Sequence, residues 1–308
     1  MVLRGPPAAI DKLVTGEDRG IVGKKRNPSV LWAVLAAALY AINAPASKLL
    51  LQDVSPTMMA AMLYLGAGIG MSLLGMGRQR LGLGKAEQKL TRKDLPFTIG
   101  MIVLDIAAPI CLMIGLTSTT PANASLLNNF EIAATSMIAL FLFKEPVSKR
   151  LWLAIGLITL SSVILSFEDA SSLHFSAGSL FVLLACICWG FENNCTRMMS
   201  QSDPLEVVVL KGFGSGLGSL AIALTIGERF PAPQFTLYAL LLGFVAYGLS
   251  IFFYVYAQRK LGAAKTSTYY AIAPFIGVIL SLLVFRQPPS PSFWAAFAIM
   301  LLGTYFAA

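Results

Sequence analysis

Phe143-Lys144-Glu145-Pro146-Val147-Ser148, with Trp152 four residues on, returns later in the chain as Phe285-Arg286-Gln287-Pro288-Pro289-Ser290 with Trp294. The offset is 142 residues. Working outward, Gly66, Gly68 and Gly70 match Gly214, Gly216 and Gly218 at an offset of 148, while Leu31, Ala36 and Lys48 fall opposite Leu180, Ala185 and Arg197 at 149. Such slow drift is what loop-length changes between two copies of one unit produce. The second half of the chain therefore reads as a copy of the first.

The medium follows from composition. The chain is 56% hydrophobic and 12% charged, with a mean hydropathy of +0.74. A soluble protein of this length could not cover its surface with so few charges. Ten runs approach or exceed the ~20 apolar residues that span a hydrocarbon core as a helix. They are Val30–Leu51, Thr57–Gly77, Leu95–Thr117, Ala122–Phe143, Leu151–Phe167, Ala177–Met199, Pro204–Gly227, Phe235–Gln258, Gly262–Phe285 and Ser292–Ala308. Five per copy is an odd number, so the copies must enter the membrane from opposite sides. The expected fold is an all-α membrane protein: ten transmembrane helices in two inverted five-helix repeats around a central cavity. Two such halves can close around one site from either side, which is the architecture of an alternating-access carrier.

The boundaries follow. Residues 1–28 form a cytoplasmic tail that cannot bury a core and is expected to be disordered. Residues 29–167 are the first repeat and 176–308 the second, with no room for a soluble catalytic module. The basic stretch, the apolar run Leu31–Ala41 and Ala44-Pro45-Ala46 imitate a secretory signal with its cleavage site. A partner segment at Leu180–Arg197, well inside the chain, keeps this region as the first membrane helix.

A formal charge of +8 would suit a nucleic-acid partner if it were clustered on a soluble face. Its distribution says otherwise. Nineteen of the twenty-three Lys and Arg residues fall in the tail and the even-numbered connections, which share one side of the membrane, including six between Arg78 and Lys93. The opposite side has Arg229 and Arg286, and Lys48 and Lys211 fall within helices, Lys211 within snorkelling reach of an end. The positive-inside rule places both termini in the cytoplasm and the protein in a cell (cytoplasmic or inner) membrane. Expected partners are the lipid bilayer and a small-molecule substrate, not nucleic acid, with the protein a monomer or homodimer.

No cofactor or metal is expected. Cys111, Cys186, Cys188 and Cys195 all lie in apolar runs, and Cys186 and Cys188 point to different helix faces, so packing explains them better than a disulfide or metal cluster. His174 is the single histidine. Gly212-Phe213-Gly214-Ser215-Gly216-Leu217-Gly218 lacks the strand before it and the Lys-Ser/Thr after it that a phosphate loop needs. With Gly66–Gly70 it reads as small-residue spacing that lets helices approach closely.

Polar groups within a bilayer are costly, about 2.5–3.5 kcal/mol for a mid-helix charge, so each calls for a reason. At ~1.5 Å per residue, Asp105 in the third run and Glu131 in the fourth lie near mid-membrane. These runs are joined only by Ser118–Pro121 and are expected to pack as a hairpin. Two facing carboxyls at one depth resist being charged together, which is how a carrier obtains a group that takes up protons. Glu131 and Asp105 are thus the candidates for a coupling proton. Asn128, Glu131 and Thr135 share one helical face. Trp189, Glu192, Asn193 and Thr196 form a like stripe in the sixth run, and Tyr40, Asn43 and Ser47 its counterpart in the first, where Pro45 interrupts the helix. Tyr247, Ser250 and Tyr254 in the eighth run, and Thr266, Tyr269, Tyr270 and Pro274 in the ninth, continue the pattern. These groups are expected to converge on one aqueous cavity. Lys48 and its repeat mate Arg197 are gate candidates, with Lys265 as an anion contact or anchor.

The residues resemble the drug/metabolite transporter superfamily, in particular its ten-helix EamA-type branch, over about Val30 to Ala308. The features that carry the resemblance are the first-helix pattern ending in Lys48, Thr120-Pro121-Ala122-Asn123-Ala124-Ser125-Leu126-Leu127, Phe143-Lys144-Glu145-Pro146, and Leu261-Gly262-Ala263-Ala264-Lys265-Thr266-Ser267. It implies two inverted halves around a central cavity lined by helices one, three, four, six, eight and nine, and export or exchange of small metabolites. The chain departs from the usual pattern at Glu131, where an apolar residue or proline is more common, and at Gln287, the counterpart of Glu145. A carboxyl at 131 argues against a simple uncharged substrate.

The expected function is a secondary active transporter that exports or exchanges a small polar or amphipathic metabolite, an amino acid among the candidates, with proton coupling. A facilitative exchanger or multidrug efflux carrier is the nearest alternative, and a non-transporting scaffold or receptor a weaker one. An enzyme is not expected, since one histidine and no catalytic spacing leave no constellation for chemistry.

Overall fold

The computed structural model describes residues 28–81, 89–144, 147–167, 176–199, 202–261, 266 and 269–307. The amino-terminal tail to residue 27, His174 and Lys265 lie outside the described residues. Backbone polar groups in lipid must be satisfied within the chain, and the helix does this segment by segment. The described elements are helical almost throughout: α1 (Pro28–Ala41), α2 (Asn43–Leu50), α3 (Pro56–Arg80), α4 (Leu95–Ser118), α5 (Pro121–Leu127), α6 (Phe130–Phe143), α7 (Lys149–Ser166), α8 (Ala177–Met198), α9 (Pro204–Thr225), α10 (Pro233–Gly243), α11 (Ser250–Leu261), α12 (Ala273–Phe285) and α13 (Pro291–Ala307). Starts are written in the sequence. Proline opens α3, α5, α9 and α10, where its missing N–H is no loss. Thr120, Ser148, Ser176 and Asp203 accept a backbone N–H as N-caps of α5, α7, α8 and α9. Glu228 caps α3 from a distant loop, accepting from the Thr57 N–H at 3.2 Å and the Met58 N–H at 2.6 Å.

Among the described residues, eight helical segments are long and apolar enough to cross a membrane. The expected ninth and tenth helices are represented by the shorter apolar helices α12 and α13, of 13 and 17 residues. Bulky apolar side chains such as Leu31, Phe141 and Leu283 are about two-thirds exposed around the bundle (65%, 69% and 67%), a surface that lipid must cover.

Three expected helices are broken mid-course. Between α1 and α2 the break comes at Ile42, and between α5 and α6 at Asn128–Asn129. Before α12, Tyr269 and Tyr270 are helical while Ala271 and Ile272 are not. Pro45 and Pro274 explain two of these, because a proline ring clashes with the carbonyl four residues before it, here those of Ala41 and Tyr270. The Asn128–Asn129 break has no proline. A fourth departure is the wider-turn π segment Phe244–Leu249 between α10 and α11.

The repeated motif also repeats a backbone state. Lys144 and Arg286, which follow Phe143 and Phe285, close α6 and α12 with φ of 53° and 52°, left-handed caps taken up by non-glycine residues. Packing crosses the two halves more than it stays within them. The most extensive pairs are α4 with α8, α3 with α9, α7 with α13 and α1 with α11, each joining the first half to the second. Glycines set the α3–α9 distance: a Cβ on Gly212 would lie 2.4 Å from the Gly68 nitrogen. One hydrophobic core runs through both halves, from Met58 and Leu63 on α3 through Leu112 and Leu116 on α4 to Val278 on α12.

Candidate transport cavity and the charges behind it

Two cavities open at opposite ends of the bundle. One, of about 410 Å³, is walled by the α5–α6 break, α6, α8, α11 and the start of α12. The other, of about 520 Å³, lies among Lys48, the α4–α5 connection and the α12–α13 connection. Between them α5 and α12 approach so closely that a Cβ on Gly277 would come 2.8 Å from Ser125 Oγ. Only a gap of about 10 Å³ remains beside Asn43, Asn128 and Pro274, the size of one water.

The first cavity holds the larger share of the candidate residues. Asn128, Glu131, Thr135, Asn193, Thr196, Arg197, Tyr254 and Tyr270 line it, together with Tyr40, Asn129 and Asn194. The breaks explain its polarity, because Asn128, Asn129 and Ala271, where helices are interrupted, all face this space. Asn193 Nδ2 donates to Glu131 Oε1 at 2.6 Å and to Thr135 Oγ1 at 3.3 Å, which ties α8 to α6. Asn194 donates to the Gly190 carbonyl at 2.8 Å and the Thr135 carbonyl at 3.2 Å. Tyr254 and Tyr270 meet edge to face at 4.9 Å between ring centres, and Tyr40 lies 5.9 Å from Tyr270. A carboxylate, several amides and a tyrosine wall suit a small molecule carrying both polar and apolar surface.

Other expected residues lie behind this wall. Asn43 is buried, donating to Tyr247 Oη at 3.1 Å and accepting from Ser47 Oγ at 3.0 Å. Tyr247 is carried by the π segment and packs on Tyr64 at 5.0 Å. Trp189 is part of the hydrophobic core, and Thr266 is fully buried. Lys48 lines the second cavity and donates to the carbonyls of Leu116, Thr117 (3.3 Å) and Thr119 (3.2 Å) at the end of α4. Arg197 lines the first cavity. The repeat mates Lys48 and Arg197 thus stand at different cavities.

The expected α4–α6 carboxyl pair is not formed. The α4 helix packs chiefly on α8 and α9, not back on α6. Asp105 is fully buried, accepts from Tyr64 Oη at 2.7 Å, and pairs with Lys211 Nζ at 3.1 Å. Lys211 also meets Glu192 Oε1 at 2.9 Å, and Glu192 accepts from Thr196. Lys211 is 6% exposed, so it is a paired core residue and does not snorkel. The expected sixth-helix stripe is split as well. Glu192 and Asn193 are consecutive and so ~100° apart around α8; one faces Lys211 and the other Glu131. Sequence reasoning did not single out Tyr64 and gave Lys211 the wrong surroundings. The available signal was the charge itself, since a lysine inside an apolar run needs an anion from another helix. Among the described residues, no group of three His, Cys, Asp or Glu side chains is placed to hold a metal, and the four cysteines are free thiols.

A helical bundle with an apolar outer surface and cavities of mixed polar and apolar lining at both ends defines an integral membrane protein of the transporter class. The EamA-like transporter family model matches residues 27–167 and again 176–308, and the chain belongs to that family. It is 25% identical over 288 residues to an uncharacterized transporter of Methanothermobacter thermautotrophicus, covering 88% of this chain and 83% of the relative. It is 23% identical over 185 residues to the uncharacterized transporter YyaM of Bacillus subtilis, covering 56% of this chain and 59% of that one. A crystal structure aligns with a TM-score of 0.67 at 18% identity, over 92% of this chain and 96% of the other, and shares the fold. The protein is therefore a membrane transporter.

Proposed function

We propose that this transporter is a secondary carrier that works by alternating access between two inverted five-helix halves, and that it exports or exchanges a small polar or amphipathic metabolite such as an amino acid. One observation carries the reading: the Glu131 carboxylate stands in the wall of a 410 Å³ cavity, held by an amide from the other half of the chain. Further support comes from the helix pairs. Exchanging the halves turns the α4–α8 pair into α11–α1, while α3–α9 and α7–α13 map onto themselves. By the distribution of basic residues both termini lie in the cytoplasm, the Glu131 cavity faces inward and the Lys48 cavity outward.

Glu131 is the proposed proton-linked group, and Asn128, Asn193 and Tyr270 the substrate contacts. Reconstitution into liposomes with uptake of radiolabelled amino acids tests this. Flux is expected to follow an imposed pH gradient, and Glu131→Gln to abolish that dependence. A variant with unaltered rate and pH response overturns the coupling. Counterflow that needs no pH gradient identifies a facilitative exchanger instead.

A further inference from the structure

The charges behind the cavity do not balance. Asp105 on α4 and Glu192 on α8 both lie within hydrogen-bond reach of one ammonium, Lys211 on α9, and all three are at least nine-tenths buried. One lysine neutralises one carboxylate. Among the described residues no second cation lies within ion-pair distance of either acid. Two carboxylates sharing a dry site resist being ionised together, so the second calls for a further positive charge.

Two further observations bear on what supplies it. Asp105 Oδ2 lies at ion-pair distance from Lys211 yet has no hydrogen-bond donor aligned on it among the described residues. Glu192 is joined to the cavity by a hydroxyl, since Thr196 donates to Glu192 Oε1 and itself lines the cavity wall beside Glu131. A single polar step thus connects cavity water to the buried cluster. In that step the Thr196 hydroxyl passes its proton to Glu192 while its oxygen takes one from a hydronium ion in the cavity, which remains as water.

We infer that the Asp105–Lys211–Glu192 cluster is an exchangeable proton site, loaded from the transport cavity through Thr196 and distinct from Glu131. This deepens the carrier reading and rests on it for its role in transport. A proton fits better than a metal cation because the ammonium already occupies the space between the two acids. Among the described residues, the other titratable groups around the cluster are Tyr64 on α3, Tyr247 packed at a tilt against Tyr64, Cys195 on α8, and Glu131 on α6 across Asn193. On α11, packed against α9, Tyr254 faces the cavity. The location suits coupling, since α4 belongs to the first half and α8 and α9 to the second.

Infrared difference spectroscopy of the full-length reconstituted protein, titrated from acid to alkaline pH without substrate, tests the site directly. The protonated-carboxyl stretching band is expected to titrate in the unmodified protein, to lose one component in both Glu192→Gln and Asp105→Asn, and to keep that component in Glu131→Gln. Thr196→Val is expected to slow its appearance after a pH jump without removing it, which keeps the test open if either acid variant fails to fold. A band unchanged by the acid variants, lost only in Glu131→Gln, or displaced by sodium instead of protons overturns the inference. Such a result leaves the carrier reading standing if amino-acid flux still responds to pH. Absent flux with an intact titrating band would sink the carrier reading and keep the proton site.

Discussion

Glu131 and Asp105 are acids of similar expected depth on consecutive membrane segments, yet they live in different regions. Glu131 stands in an open cavity of mixed lining and is held by a neutral amide, Asn193. Asp105 is sealed between helices and held by a lysine and a tyrosine, with a second acid close by. The helix α8 divides the two regions, turning Asn193 toward one and Glu192 toward the other. The contrast teaches that an acid within the bundle takes its surroundings from its neighbours: Glu131 borders a space that a solute could enter, while Asp105 is paired within the packing between the halves.

Removing the central cation should break the contrast most. Lys211→Met leaves two acids in a dry site without their partner, and a destabilisation of about 3–5 kcal/mol is expected, read as a lowered unfolding midpoint in detergent. A midpoint equal to that of the unmodified protein would mean that neither acid carries a charge that Lys211 neutralises. The close α3–α9 approach that buries Lys211 is the next target. Gly212→Val would push a side chain against the Gly68 backbone, whose nitrogen is 2.4 Å from an added Cβ, and should cost about 1–3 kcal/mol by the same measurement.

Glu131→Gln should separate the regions by function. It replaces a charge-assisted hydrogen bond with a neutral one, so stability should fall by no more than about 1.5 kcal/mol while the pH response of flux disappears. Loss of folding in this variant would place Glu131 with the structural charges. The smallest effect is expected for Gly156→Ala on α7, where nothing lies within 4 Å of an added Cβ. A change of under about 1 kcal/mol should result, which calibrates the Gly212 measurement.

The sequence carried the cavity further than the cluster. Glu131 and Thr135 are neighbours along one face of α6, Asn128 reaches the same cavity from the break before it, and such short-range spacing is a local property that needs no partner helix. Pro45 likewise announced one of the breaks, and Pro274, read only as part of a polar stripe, carried the same signal, because a proline acts on the carbonyl four residues behind it. The Asn128–Asn129 break carried no such mark, and neither did the π segment that positions Tyr247. The expected carboxyl pair failed for a related reason. A short connection between the third and fourth runs suggests a hairpin, but α4 buries its face against α8 and α9.

What the chain determined by itself was the medium, the run of apolar segments and their duplication, since hydropathy and repeated motifs such as Phe143-Lys144 and Phe285-Arg286 lie along the chain. Which helices meet was decided only in three dimensions. Lipid is as apolar as the helix surfaces, so hydrophobicity alone does not select partners. Selection falls to close glycine contacts and to the few buried polar groups that must find one another, and Lys211 found its two acids on α4 and α8.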